Sequence, residues 1–297
     1  MLAIILVNYK DEVRTAVYVK EELSKISIPH YIIVVNNSST PESDNKLNSD
    51  LNAVLTTDIQ ARPVVSECYI ISQPENLGFA KGNNLGATFA LQHFKINHFL
   101  ISNNDIRFID SNVVEKLVER LDSLHNVGLI GPKVVGLDGR KQSPEPYLSI
   151  WNRYVWMHWL TPFLSTKKKA EMFKLDYSEI AEEGVHYKIM GSFFIVKAAD
   201  FQGCGLMDPN TFLYSEELIL SERLKSIGKY NYYFPQVAVL HEHGQTINQH
   251  INHRKSTILK FKSESYYYHK YRGTSMLSIY FAGLFFNLFL YLKSKTK

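Results

Sequence analysis

The sequence predicts an α/β protein with a mostly parallel, open sheet flanked by helices, and three observations carry that expectation. Short apolar runs alternate with helix-like stretches through the first hundred residues, a polar loop follows the second run, and the Asn-, Gly- and acid-rich segments fall just after strands or at helix starts. Strands separated by helices of this length are joined by βαβ crossovers. Sheets of this kind bind ligands outside the carboxyl ends of their strands.

In order along the chain, Met1–Lys10 lacks a basic leader and has too short an apolar run for a signal peptide. It therefore reads as a buried first strand over Leu2–Val7. A helix is expected at Val13–Ser27, a second strand at Tyr31–Val35, a third at Tyr69–Ser72, a helix at Ala80–Phe94 and a further strand at His98–Ser102. Asn45–Pro63 is polar and weakly periodic, and reads as an irregular connection. Glu217–Ile227 reads as a helix closed by Gly228.

Composition bounds the function. With 297 residues, 45% hydrophobic and 21% charged, the chain is globular rather than a disordered adaptor. Cys68 and Cys204 offer neither a disulfide framework nor metal-ligand spacing, which fits a reducing, cytoplasmic compartment. Charge is uneven: the last 45 residues hold nine Lys/Arg against Glu264, a net +8, and the rest of the chain carries −4. That tail suits either an anionic surface or a solvated helix face. No nucleic-acid partner is expected.

Ile150–Lys169 holds Trp151, Trp156 and Trp159 with Tyr154, Met157 and Phe163, and fits a membrane-interface segment or a buried helix equally well. The stretch from Gly273 to Leu292 is uncharged but contains Ser278, Gly283 and Asn287. A spanning helix needs roughly 20 apolar residues, so this one is marginal for crossing. It reads as a helix lying in the cytoplasmic leaflet, or as a terminal helix packed on the core. The expected organisation is thus a catalytic domain over 1–252 and a basic, apolar helical extension over 253–297 that associates with the membrane.

Several residues carry chemistry. Asp105, in Asn103-Asn-Asp105 after an apolar strand, suits a divalent ion that also touches phosphate, or a side chain closing its own turn. Glu216 and Glu217 open a helix, as capping acids or with one of them as a general base. His241 and His243 offer a metal or phosphate contact, or strand packing. Asn76–Asn84 sets Gly78, Gly82 and Lys81 at a helix start, where backbone donors and a cation approach an anion. Neither G-x-G-x-x-G nor the P-loop pattern occurs, which argues against hydride transfer and ATP hydrolysis.

Taken together, Ile5-Leu-Val-Asn-Tyr9, Val34-Val-Asn-Asn-Ser-Ser39, Asn76–Asn84, Ser102-Asn-Asn-Asp105, Met190–Val196, Gly205–Pro209 and Phe212–Glu217 resemble glycosyltransferase family 2, particularly its bacterial rhamnosyltransferase-like members. The resemblance implies a GT-A fold and an inverting single displacement from a nucleoside diphosphate sugar, dTDP-rhamnose among the candidates. The acceptor it implies is a glycan or lipid-linked chain of a cell-surface polysaccharide, met on the inner face of the membrane. It implies donor contacts at Asn8, Tyr9, Asn36, Asn76, Gly78, Phe79, Lys81, Asn84 and Asn103. Asp105 and His241 would hold Mg²⁺ or Mn²⁺, Glu217 would be the base, and Glu216 its acidic neighbour. The chain departs from the usual pattern at Asn36, Asn103, Glu217 and Ile219, where acids or a shorter acid are customary. Those departures support a second reading, a non-catalytic sugar-nucleotide-binding scaffold of a glycan-assembly complex.

Overall fold

The computed structural model describes residues 1–173, 181–242 and 253–295. The chain begins β1 (Leu2–Asn8), α1 (Glu12–Glu21), β2 (His30–Asn37), α2 (Pro41–Leu51), β3 (Val54–Thr56), β4 (Cys68–Gln73), α3 (Gly78–His93), β5 (His98–Ser102) and β6 (Ile106–Phe108). It continues α4 (Val113–Ser123), β7 (Val127–Gly136), α5 (Met157–Leu160), α6 (Thr166–Phe173), β8 (Gly184–His186), β9 (Phe193–Lys197), α7 (Ala198–Gly203), α8 (Glu216–Ser226) and β10 (Tyr230–His241). Two long helices close it, α9 (His253–Arg272) and α10 (Met276–Lys295).

Among the described residues the strands form one sheet in the order β3-β4-β2-β1-β5-β9-β7-β10-β6, with β8 beside β10. From β3 to β5 every pairing is parallel, as the alternation of strand and helix predicts. The second half is mixed: β9 runs antiparallel between β5 and β7, and β10 is parallel to β7 but antiparallel to β6 and β8.

Strand alternation divides the core. Leu2, Ile4 and Leu6 of β1 face Tyr18 of α1 and Val114, Leu117 and Leu121 of α4, whereas Ala3 and Ile5 face Ala87, Phe89 and Ala90 of α3. At Gly86 a Cβ would come within 2.7 Å of the Ile5 side chain, so the absence of a side chain lets α3 lie close against the sheet.

Asn45–Pro63, expected to be irregular, instead contains most of α2 and the edge strand β3. Thr40 caps α2 by accepting from the Ser43 amide, the Ser43 hydroxyl returns to the Thr40 amide, and Pro41 occupies the first turn. Leu47 anchors the otherwise polar helix in the core.

The tryptophan-rich segment packs inward at its start, while Trp156 and Phe163 are exposed. Ile150, Tyr154 and Val155, on either side of the start of a π-helical turn over Asn152–Trp156, form a third cluster with Ile219, Tyr267, Tyr268, Ile279, Ala282 and Phe286. Trp151 Nε1 donates to Ser278 Oγ at 2.8 Å. The 253–297 segment is thereby joined to the body through α9 and one face of α10. The opposite face of α10, including Leu277, Phe281, Leu284, Phe285 and Leu288, is exposed. By length and composition α10 is apolar enough to cross a membrane, with a mean hydropathy of 1.5 over its best window.

Candidate active site

A cavity of about 690 Å³ opens at the carboxyl ends of β1, β2 and β5, where the parallel half of the sheet meets the mixed half. Tyr9, Asn76, Gly78, Phe79, Asn103, Asp105, Glu216, Glu217 and His241 line it together, although they lie up to 232 positions apart in sequence.

Each segment is placed by its own local chemistry. Gly78 has φ +79, and a Cβ there would stand 2.1 Å from the Phe212 carbonyl oxygen. That carbonyl accepts from the Phe79 amide at 3.0 Å, so the Asn76–Phe79 turn is fastened directly to the stretch leading into the two glutamates. Asn37 holds the same turn from the other side: its Oδ1 accepts from the Leu77 amide at 2.8 Å and its Nδ2 donates to Asn76 Oδ1 at 3.1 Å. Asn103 lies just beyond β5 with its amide donating to Ser192 O at 2.8 Å. His241 ends β10, opposite Ile106 of β6, and this register brings it to Asp105.

His241 Nε2 is 3.3 Å from Asp105 Oδ1, and His241 Nδ1 lies 2.8 Å from Gln142 Oε1. Burial alone would push the Asp105 carboxyl up, but His241 beside it and the more distant Arg14 hold it below its ordinary value. Asp105 Oδ1 is buried and takes no well-aligned hydrogen bond among the described residues. A buried carboxylate oxygen set against an imidazole nitrogen, with no other close hydrogen-bond donor among the described residues, is the kind of oxygen and nitrogen pair that a divalent cation takes. No group of three or more His, Cys, Asp or Glu suited to a metal occurs among the described residues. His243 lies outside the described residues.

The two glutamates differ sharply in surroundings. Glu216 is 6% exposed, its Oε1 has no hydrogen-bond partner among the described residues, and burial, followed by the neighbouring Glu217 charge, pushes its carboxyl up to about 8. Burial thus outweighs the helix N-terminus that would favour ionisation. At neutral pH Glu216 is largely a neutral acid, which leaves Glu217 as the candidate base. Glu217 faces the cavity and lies 3.4 Å from the buried ammonium of Lys188, which also contacts Glu145 at 3.0 Å. Burial would lower the Lys188 value, but these two carboxylates raise it above that of an ordinary lysine.

Four residues named from the sequence do not line the cavity. Asn8 Nδ2 donates to Asn36 Oδ1 at 2.8 Å, and Asn36 Nδ2 donates in turn to Asp44 Oδ1 at 2.7 Å. Both asparagines are buried and support the loops after β1 and β2. Asn84 exchanges hydrogen bonds with the backbone of Met207, at 2.8 and 3.0 Å, and Lys81 is exposed on α3.

Conversely, sequence reasoning missed Asn37, Gln142, Glu145, Arg153, Lys188, Lys260 and Glu264, all on the cavity wall. Asn37 stood beside Asn36 in the same motif, and strand alternation was the available signal. Arg153 and Glu264 are paired through Arg153 Nε to both carboxylate oxygens, at 2.9 and 3.0 Å, across 111 residues, which no local pattern discloses.

No protein-family model matches the chain. It is 24% identical over 222 residues to the low-salt glycan biosynthesis hexosyltransferase Agl10 of Haloferax volcanii, a match covering 73% of this chain and 59% of that protein. The chain therefore spans about three-fifths of the curated relative it matches. Among solved structures it is similar to the mannosyltransferase PcManGT of Pyrobaculum calidifontis in complex with GDP-Man and Mn²⁺, with TM-score 0.57 and 11% identity, over 97% of this chain and 70% of that one. It is also similar to GalNAc-T7 with UDP, GalNAc and Mn²⁺, with TM-score 0.53 and 14% identity, over 82% of this chain and 44% of that one. The fold is that of the GT-A glycosyltransferases.

Proposed function

We propose that the protein is an inverting glycosyltransferase that moves a sugar from a nucleoside diphosphate sugar to a glycan or lipid-linked acceptor in cell-surface polysaccharide synthesis. One observation carries the reading: the Asn76–Phe79 turn, Asp105 with His241, and Glu217 converge on one cavity at the carboxyl ends of the parallel strands. The hexosyltransferase relative and the nucleotide-bound neighbours support this substrate class. Donor candidates include dTDP-rhamnose, UDP-hexoses and GDP-mannose.

In this reading Tyr9, Asn37, Asn76 and Asn103 hold the nucleotide end of the donor. Asp105 and His241 hold Mg²⁺ or Mn²⁺, which when bound would offset charge on the departing diphosphate. Glu217 accepts the proton of the acceptor hydroxyl as its oxygen bonds to the anomeric carbon and the bond from that carbon to the diphosphate breaks. The proton ends on Glu217 and the electron pair leaves with the nucleoside diphosphate. The exposed apolar face of α10, with Lys293 and Lys295 at its end, would rest against the inner face of the cell membrane and bring the cavity to its acceptor.

The test is donor binding and hydrolysis by the purified chain across UDP-glucose, UDP-galactose, GDP-mannose and dTDP-rhamnose, with Mg²⁺, Mn²⁺ or EDTA. Turnover of one donor is expected. EDTA, Asp105→Ala and Glu217→Gln are each expected to reduce it at least ~100-fold. Donor binding without turnover, even with a lipid-linked acceptor, would instead identify a sugar-nucleotide-binding scaffold.

A further inference from the structure

We propose that Lys188 is a positioning residue for this reaction: its buried ammonium, anchored by Glu145, fixes the Glu217 carboxylate in the cavity. The inference rests on Glu217 being the base, as proposed above, and adds how that base is held.

Glu217 lies in the first turn of α8, and a glutamate there has three side-chain torsions to fix. Its neighbour Glu216 is buried, and among the described residues its Oε1 makes no hydrogen bond. Among the described residues the ion pair of the Glu217 carboxylate is with Lys188, at 3.4 Å. Lys188 is itself buried and anchored at both backbone and side chain. Its side chain is 8% exposed, its backbone exchanges two hydrogen bonds with that of Glu145, at 3.0 and 3.2 Å, and its Nζ meets Glu145 Oε1 at 3.0 Å. A lysine so enclosed is poorly placed to follow a substrate and well placed to orient another side chain.

The unequal distances suit a base. The tighter contact is to Glu145, at 3.0 Å, and the looser one is to Glu217, at 3.4 Å. When Glu217 takes up a proton and loses its charge, Lys188 stays paired with Glu145, so no buried cation is left alone during the step. Removing Lys188 would leave two carboxylates without their shared cation and free Glu217 to leave the attacking geometry. The loss then falls on turnover rather than on donor affinity.

The experiment uses the full chain and the nucleotide sugar that the donor panel shows to be hydrolysed, with steady-state kinetics and a thermal melt for each variant. Glu217→Gln is measured first. If it keeps wild-type turnover, or if no donor is hydrolysed, the base reading fails and this proposal falls with it. If Glu217→Gln is inactive, Lys188→Met is expected to lower kcat at least ~10-fold with donor KM within about twofold, and Lys188→Arg to recover much of that loss. Glu145→Gln keeps Lys188 in place and is expected to lower kcat several-fold at unchanged KM, which preserves the test should Lys188→Met not fold. Unchanged kcat in a folded Lys188→Met or Glu145→Gln, or a rise in KM at constant kcat, would overturn the positioning role while leaving the base assignment standing.

Discussion

Glu216 and Glu217 are adjacent, chemically identical and both in the first turn of α8, yet Glu216 is buried while Glu217 faces the cavity beside Lys188. Glu216 has a folded-state value of about 8 against an ordinary 4.5. Its neutral form is the one that suits burial, so the stability it permits is complete below about pH 4.5 and is lost as pH rises through about 8. Glu216→Gln keeps the shape of the neutral acid and removes the titration. It is expected to match wild type near pH 4.5 and to exceed it by roughly 2–5 kcal/mol near pH 9, read from urea melts at each pH. Gly78 makes a second prediction at this scale. Gly78→Ala forces a side chain into a left-handed turn and against the Phe212 carbonyl, so the backbone must shift, and it should both lower the melting temperature and raise donor KM at least ~10-fold in the protein that folds. Tyr9, Asp105, Glu217 and His241 each end or follow a recognisable strand or open a helix, which is why the sequence could single them out, and all four line the cavity. Asn8 and Asn36, named from the sequence as donor contacts, instead hydrogen-bond each other, with Asp44 next in the chain of contacts, and stand behind the cavity wall.

At the scale of elements, the strands and helices of the first hundred residues were readable from alternation. The helix α2 was not, since apart from Leu47 its buried side chain is the polar Asp44 and its stability comes from a capping box and a proline at its start. The opposite happened at the tail, where strong apolar and basic composition pointed outward but α9 turned out to line the cavity with Lys260 and Glu264. Asp208 secures that helix. Its carboxylate accepts from Tyr266 Oη at 2.8 Å, from Tyr271 Oη and from Lys270 Nζ at 3.2 Å. Asp208→Ala should therefore destabilise the chain by roughly 2–4 kcal/mol and speed amide exchange over residues 266–271, measured by denaturant melts and hydrogen exchange.

For the whole molecule, the site depends on a body and a tail that sequence reasoning separated at residue 252. That boundary lies outside the described residues, but α9, α10 and the tryptophan-rich segment share one core with Ile219 of α8. Truncation after Lys255 would remove part of the cavity wall, so membrane contact is better tested by changing the exposed face of α10. Leu284→Glu with Leu288→Glu should abolish co-sedimentation with anionic phospholipid vesicles while leaving the melting temperature and donor hydrolysis in solution near wild type. Equal vesicle binding by the double variant and wild type would remove the membrane from the proposal.

The sequence by itself determined the parallel half of the sheet, the chain order of the Asn/Gly turn, Asp105 and the glutamates, and the apolar character of α10. These follow from periodicity and strand-end placement, which are local. Only the tertiary structure decided which asparagines face the cavity, that Glu216 is buried while Glu217 meets Lys188, and that of the two readings of the tail one face of it packs on the body while α9 lines the cavity. Those outcomes depend on burial and on charges brought within a few ångströms by residues dozens to more than a hundred positions apart, where desolvation and Coulomb energy change steeply with distance.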